Sequence, residues 1–153
     1  MKLGYIFKVS LIATALLPIS IEAQNLTTRQ QEIVSKLSEA ELSFHNKYLL
    51  PILEANGVVC VKIGASWCPP CQRMVPIINE LKTELHGKVT FFELPIDDLR
   101  TPQNIPSLLL KAFFGVTISS IPTLLFFKDG KLLETHVGSM NKETLSLKVS
   151  SYL

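Results

Sequence analysis

The spacing of apolar side chains predicts an alternating series of helices and strands. Within residues 25–55, apolar side chains recur at steps of three or four and so lie on one helix face: Ile33, Leu37, Ala40, Phe44 and Tyr48. The stretch from Thr28 to Gln31 has the spacing of an N-terminal capping box. Pro51 is expected to kink or restart this helix.

An apolar run rich in β-branched residues follows at 58–64 and predicts a strand buried on both faces, with Lys62 as the exception. The same patterning then predicts a helix at 69–85, strands at 89–96, 123–127 and 132–137, a polar loop at 97–104, a short helix at 106–114 and a last helix after Asn141. Asp129-Gly130 is typical of a hairpin turn. The order predicts an α/β fold with one central mixed sheet and helices on both faces.

The chain has 153 residues, of which 47% are apolar, and this is enough for one domain with a hydrophobic core. The formal net charge is only +2, with no basic block, so the composition gives no reason to expect nucleic-acid binding.

Residues 1–23 resemble a targeting segment. Lys2 and Lys8 precede the uncharged, mostly apolar run 9–21, and Ala23 is placed for cleavage. The run is short for a membrane-spanning helix, which favours a cleaved signal peptide; the alternative is an uncleaved anchor at residues 3–21. Either way we expect the folded part to lie outside the cytoplasm, in the periplasm. The predicted division is 1–23, an N-terminal helical segment at 24–56, and a domain at 57–153.

The chemistry is predicted to lie in Trp67-Cys68-Pro69-Pro70-Cys71, at the junction of a strand and a helix. Unpaired N–H groups and the helix dipole stabilise a thiolate at a helix N-terminus. Cys68 is expected to face solvent and attack a substrate disulfide, and the more buried Cys71 to resolve the mixed disulfide. Pro69 and Pro70 stiffen the loop but lack N–H donors, which limits how far the pKa of Cys68 can fall.

The alternative interpretations of this Cys-x-x-Cys are half of a zinc site or two idle cysteines. A zinc site would need two more ligands, and its candidates are not paired at ligand spacing: Cys60, His45, His86 and His136. We therefore expect neither metal nor organic cofactor, only the Cys68–Cys71 pair itself. Cys60 lies in the apolar run and is expected to be a buried, inert thiol.

Several motifs in register resemble thioredoxin over residues 55–153. They are the Trp67-Cys-x-x-Cys segment, Ile121-Pro122-Thr123, Phe127-Lys128-Asp129-Gly130-Lys131 and Val137-Gly138. The Pro-Pro dipeptide also occurs in tryparedoxins, nucleoredoxin-like proteins and exported TlpA-like reductases. The resemblance implies a thioredoxin-like fold, here with an extra N-terminal helix, and a cis Ile121–Pro122 bond beside Cys68. It also implies that the Ile121 backbone pairs with the substrate chain, with Trp67, Pro69, Pro70 and Pro122 supporting the site.

The chain departs from the thioredoxin pattern six residues before Cys68. Thioredoxins usually carry a buried acid there and often a lysine beside it on the next strand; here the positions hold Lys62 and Glu93. We expect a largely buried ion pair beneath Cys71 that helps to move the proton of Cys71. The alternative is that Lys62 reaches solvent at the strand end and Glu93 is solvated.

The stretch 97–120 is longer and more apolar than in plain thioredoxin, owing to Leu108, Leu109, Leu110, Phe113 and Phe114. Packing of a helix on the sheet is the favoured interpretation, and a partner-docking surface is the alternative.

The predicted function is exchange of the Cys68–Cys71 dithiol and disulfide with protein thiols and disulfides, as a monomer recharged by a membrane or exported redox partner. A reductant is favoured because a DsbA-type oxidase would usually insert a helical domain before the cis-proline, and an isomerase would usually dimerise. The remaining alternative is a binding or chaperone module on the same scaffold.

Overall fold

A computed structural model describes residues 26–97 and 104–153. The predicted targeting segment, residues 1–23, lies outside the described residues. Four strands form one mixed sheet in the order β2-β1-β3-β4, with bounds β1 Val58–Gly64, β2 Val89–Pro95, β3 Thr123–Lys128 and β4 Lys131–Val137. β1 pairs in parallel with β2 and antiparallel with β3, which pairs antiparallel with β4. The predicted mixed sheet is confirmed.

Helices cover both faces of this sheet, as predicted, because alternate side chains of β1 and β3 enter two separate cores. The helices are α1 Thr28–Val34, α2 Glu39–Phe44, a π-helical turn His45–Leu49, α3 Leu50–Glu54, α4 Pro69–Glu84, α5 Ile105–Phe114 and α6 Lys142–Ser150. The α2–α3 segment and α5 pack over Val61 and Phe127, whereas α4 and α6 pack over Cys60 and Phe126.

The N-terminal helical segment is divided rather than continuous. α1 ends at Val34, and Ser38 begins α2 with its own capping box. The first capping box is formed by Thr27 and Gln30, not by Thr28 and Gln31, so that prediction was off by one residue. Pro51 is the second residue of α3, directly after the π-helical turn. A missing N–H costs least in the first turn of a helix, and the helix restarts here as expected.

The apolar stretch around α5 packs mainly inward. Leu109, Leu110 and Phe113 are buried in the core shared with α2 and α3, and Gly115 ends the helix in a left-handed conformation. Leu108 alone among the five apolar residues is half exposed. Packing on the sheet therefore accounts for residues 105–114, where the docking-surface alternative has little exposed area. Residues 98–103 of the stretch 97–120 lie outside the described residues.

Candidate active site

Cys68 is placed at the junction of β1 and α4 because it is the N-cap of that helix. Its backbone is extended (φ −93°, ψ 109°), and helical geometry starts at Pro69. Cys71 follows in the first turn, and the two sulfurs form a disulfide. The predicted position of the Cys-x-x-Cys at a helix N-terminus is confirmed.

One backbone donor points at the Cys68 sulfur. The N–H of Cys71 donates to Cys68 Sγ over 3.3 Å. Pro69 and Pro70 occupy the first two helical positions and have no N–H to offer. A thiolate on Cys68 would therefore be held by a single amide from the first turn, together with the helix dipole.

The expected contrast in exposure between the two cysteines is absent in the disulfide state. Cys68 is 3% and Cys71 2% exposed, because both pack with Ala65 and are flanked by Ile121. Trp67, by contrast, projects outward with 67% of its surface exposed. Pro69 is exposed and Pro70 half-buried beside it. The exposed surface around the disulfide is therefore formed by Trp67, Pro69 and Pro70 rather than by the two sulfurs.

The segment before β3, the strand that pairs with β1, also reaches the disulfide. The Ile121–Pro122 peptide bond is cis, as the family resemblance implied. The carbonyl oxygen of Ile121 lies 3.9 Å from Cys68 Sγ. Pro122 is buried. Residues 53 positions apart in the chain therefore meet at the sulfur that is predicted to attack.

Three polar side chains that the sequence did not single out hold the loop before Cys68. Asp97, at the end of β2, accepts hydrogen bonds from the backbone N–H of Ser66, over 2.7 Å, and from its hydroxyl. Gln72 on α4 donates its side-chain amide to the Ser66 carbonyl. These contacts join the end of β2, the loop and α4. The sequence signal for them is Asp97, a polar residue directly after the predicted strand 89–96.

Lys62 and Glu93 form the expected ion pair, with Nζ and Oε2 2.8 Å apart. They are direct neighbours across the parallel β1–β2 ladder. The pair is buried only at one end, since the lysine side chain is 7% and the glutamate side chain 39% exposed. The prediction of a largely buried pair thus holds for Lys62 and was wrong for Glu93.

A cavity of about 440 Å³ connects this ion pair with Cys71. Gly64 lies in its wall, and a Cβ added there would stand 3.1 Å from Cys71 Sγ. A side chain at position 64 would press on the sulfur and fill part of the cavity. A glycine inside a strand often marks such a close approach, so this residue could have been found from sequence.

The third cysteine lies apart from the disulfide. Cys60 is 1% exposed in the core beneath α4 and α6, and burial raises the pKa of its thiol to about 12. His45 is buried over the opposite face of the sheet, against Phe113. Among residues 26–97 and 104–153, no three His, Cys, Asp or Glu side chains are grouped so as to hold a metal ion. The same residues contain no helix long and apolar enough to cross a membrane.

Comparison with known proteins gives the family. The family model for thioredoxin matches residues 37–151. The chain is 39% identical to a thioredoxin of Rickettsia felis over 94 residues, which are 61% of this chain and 80% of that protein. It is 35% identical to a thioredoxin of Rickettsia typhi over 106 residues, 69% of this chain and 87% of that protein. It is 29% identical to an M-type chloroplastic thioredoxin of Spinacia oleracea over 136 residues, 89% and 68% of the two chains.

The family match and the Cys68–Cys71 disulfide at the start of α4 agree with one another. Members of this family use their own dithiol, without a separate cofactor, to act on protein disulfides. The chain belongs to the thioredoxin family and is a thioredoxin-type thiol–disulfide oxidoreductase.

Proposed function

We propose that this protein reduces protein disulfides outside the cytoplasm, with Cys68 as nucleophile and Cys71 as resolving cysteine. The observation that carries the assignment of roles is the placement of Cys68 as N-cap of α4, where the Cys71 N–H points at its sulfur. A thiolate is stabilised there, and the thiolate is the reactive form of cysteine.

The exchange proceeds in two balanced steps. The Cys68 thiolate attacks one sulfur of the substrate disulfide, forming a Cys68–substrate disulfide and releasing the other substrate sulfur as a thiolate that takes up a proton. Cys71 then loses its proton and attacks Cys68 Sγ. The Cys68–Cys71 bond forms, the mixed disulfide breaks, and two electrons have passed from the protein to the substrate.

The substrate chain is proposed to lie across the surface between Trp67 and Ile121. Trp67 offers a large exposed ring, and the Ile121 carbonyl, close to Cys68 Sγ, is a backbone group that an extended peptide can pair with. Pro69 and Pro70 supply a rigid edge without amides that could compete for the peptide. Pro122, buried behind Ile121, fixes the position of that carbonyl.

The first residues of this chain support export. Lys2, Lys8 and the apolar run 9–21 suit a signal peptide, cleaved near Ala23, or an anchor at residues 3–21. The helices α1, α2 and α3 then lie between the exported N-terminus and the four-stranded sheet. A membrane-bound or exported redox partner would return electrons to the Cys68–Cys71 pair, and the protein would work as a monomer.

A reductant is favoured over an oxidase because the Cys68 thiolate lacks strong stabilisation. Pro69 and Pro70 leave one amide on Cys68 Sγ, whereas strong oxidants owe their potential to a highly stabilised thiolate. The reduction potential tests this directly, by equilibration of the purified protein with glutathione buffers. A value near −270 mV supports a reductase, and one near −120 mV would overturn it in favour of an oxidase.

Two further measurements separate the other parts of the proposal. Residues 1–30 fused to a reporter that is active only after export should give activity, and Lys2→Glu/Lys8→Glu should reduce it; an inactive fusion contradicts export.

Cys68→Ser should abolish disulfide reduction, while Cys60→Ala, as the matched cysteine control, should not. Full biological activity of Cys68→Ser would instead indicate a binding or chaperone module.

A further inference from the structure

Lys62 is placed where a cation is unexpected. Every residue of β1 is buried, and Lys62 is the one charged side chain in that strand. Its ammonium group is paired with Glu93 Oε2 at 2.8 Å. Without a partner, a charge at such a position is costly, so the pair explains how the strand tolerates it. The ion pair does not explain why the lysine, rather than the glutamate, is its buried member.

The lysine stem and the Cys71 sulfur approach the same point of the backbone. A Cβ built on Gly64 would lie 3.9 Å from Lys62 Cε and 3.1 Å from Cys71 Sγ. Because Gly64 has no side chain, the space beside both groups that a Cβ would occupy is left open. Both also line the cavity of about 440 Å³ that opens beside β2.

The geometry points to Lys62 as a positioning residue for resolution: its cation stabilises the thiolate of Cys71, and Glu93 holds the cation in place. This deepens the proposed function, since resolution is the step in which Cys71 must lose a proton. The role differs from that of a general base. A lysine paired with a carboxylate is protonated and has no lone pair with which to accept a proton.

The sign of the effect follows from the charge. A positive charge near a thiol favours the thiolate and lowers the pH at which the thiol titrates, and burial of the lysine reduces screening by water. Among residues 26–97 and 104–153, the other titratable groups lining the cavity are Glu93 and Asp97 from the β2 side and Tyr48 from the π-helical turn. Glu93 is the more exposed end of its pair, so its opposing field is better screened than that of Lys62.

The proton released by Cys71 leaves through the cavity to water. The Cys71 thiolate then attacks Cys68 Sγ, and the substrate sulfur departs as a thiolate. Lys62 keeps its proton throughout. No oxidant or reductant beyond the substrate disulfide and the protein dithiol is involved.

The test titrates Cys71 alone. In full-length protein carrying Cys68→Ser, thiolate absorbance at 240 nm and the rate of iodoacetamide alkylation of Cys71, located by mass spectrometry, are followed against pH. Lys62→Met should raise the midpoint by about one pH unit, Lys62→Arg should restore it, and the exposed α4 variant Lys82→Met should leave it unchanged. A Lys62→Met midpoint equal to or below that of the parent overturns the inference.

A second variant covers the case in which an unpaired Glu93 unfolds the protein. Lys62→Met/Glu93→Gln removes both charges and leaves no buried ion, and its midpoint should also rise, by less; a fall contradicts the inference. With both active-site cysteines present, the reduction potential is measured at a pH above the titration midpoints of Cys68 and Cys71. There Lys62→Met should make the potential more negative by about 30 mV, which is a tenfold change in the equilibrium constant. If the wild-type protein proved to be an oxidase, the proposed function would fail, but the shift in the Cys71 midpoint would still decide the role of Lys62.

Discussion

The backbone N–H of Cys71 and the sulfur of Cys68 are 3.3 Å apart, and this is the hydrogen bond by which the helix caps its own nucleophile. A side chain at an N-cap accepts from the second or third helical N–H. Here the third position is Cys71, and the second is Pro70, which has nothing to donate. Position 70 is therefore where an added backbone N–H could change the reactivity of Cys68.

Pro70→Ala should lower the pKa of Cys68, because it adds an amide N–H at the second helical position, within reach of the cap sulfur. We expect a fall of about half a unit to one unit, measured by 240 nm absorbance in reduced protein carrying Cys71→Ser. Pro69→Ala is the matched control, since a first-position N–H is not one that caps normally use. Equal shifts in the two variants would contradict this account.

Cys60 should be unreactive in the folded protein at pH 8. Burial raises the pKa of its thiol to about 12, so the thiol is neutral at this pH. Reduced protein treated with iodoacetamide should carry two modified cysteines by mass spectrometry, and three only after denaturation. Rapid labelling of Cys60 under native conditions would show that the core under α4 opens readily.

Gly130→Ala should destabilise the protein more than Gly87→Ala. Both glycines have positive φ, +73° and +76°, but a Cβ at Gly130 would lie 2.5 Å from the Leu53 carbonyl oxygen, whereas one at Gly87 meets nothing within 4 Å. We expect a loss of about 1 kcal/mol at Gly87, from the left-handed conformation alone, and of about 2–4 kcal/mol at Gly130. Urea unfolding at pH 7 measures both, and equal losses would mean that the hairpin and α3 separate easily.

Glu134 should contribute to stability only above the pH at which its carboxylate protonates. Hydrogen bonds from Lys148 and Tyr152 hold the pKa of Glu134 below its usual 4.5. Because the folded-state pKa is the lower one, the stabilisation is present above about pH 4.5 and is lost as the pH falls through the folded-state value. The side chain is 38% exposed, so we expect Glu134→Gln to cost no more than about 1 kcal/mol at pH 7.

The difference in unfolding free energy between wild type and Glu134→Gln should shrink from pH 7 to pH 3 in urea titrations. Glu32→Gln is the comparison, because Glu32 and Lys36 form an exposed pair at the C-terminal end of α1, which should matter less at either pH. A constant Glu134→Gln penalty across this range would indicate lost packing rather than lost charge.

Local patterns in the sequence identified most of the elements. The β-branched run at 58–64 and the apolar spacing after Pro69 predicted β1 and α4 to within a residue. A strand buried on both faces shows as a continuous apolar run, and a helix buried on one face shows as apolar residues every three or four positions. The capping box was misplaced because Thr27 and Thr28 are followed three residues later by Gln30 and Gln31, two equivalent pairs. Only the backbone conformation distinguishes them.

Local sequence patterns identified the chemistry and its setting: a Cys68–Cys71 pair at the start of a helix, preceded by a buried strand with one lysine. The resemblance to thioredoxin implied which distant groups would meet there, and the tertiary structure accounts for how they meet. Strand pairing brought Lys62 opposite Glu93, and antiparallel insertion of β3 beside β1 brought the Ile121 carbonyl to Cys68. Periodicity reports which face of an element is buried, whereas contacts across a sheet depend on register and strand order, which are set by packing of the whole core.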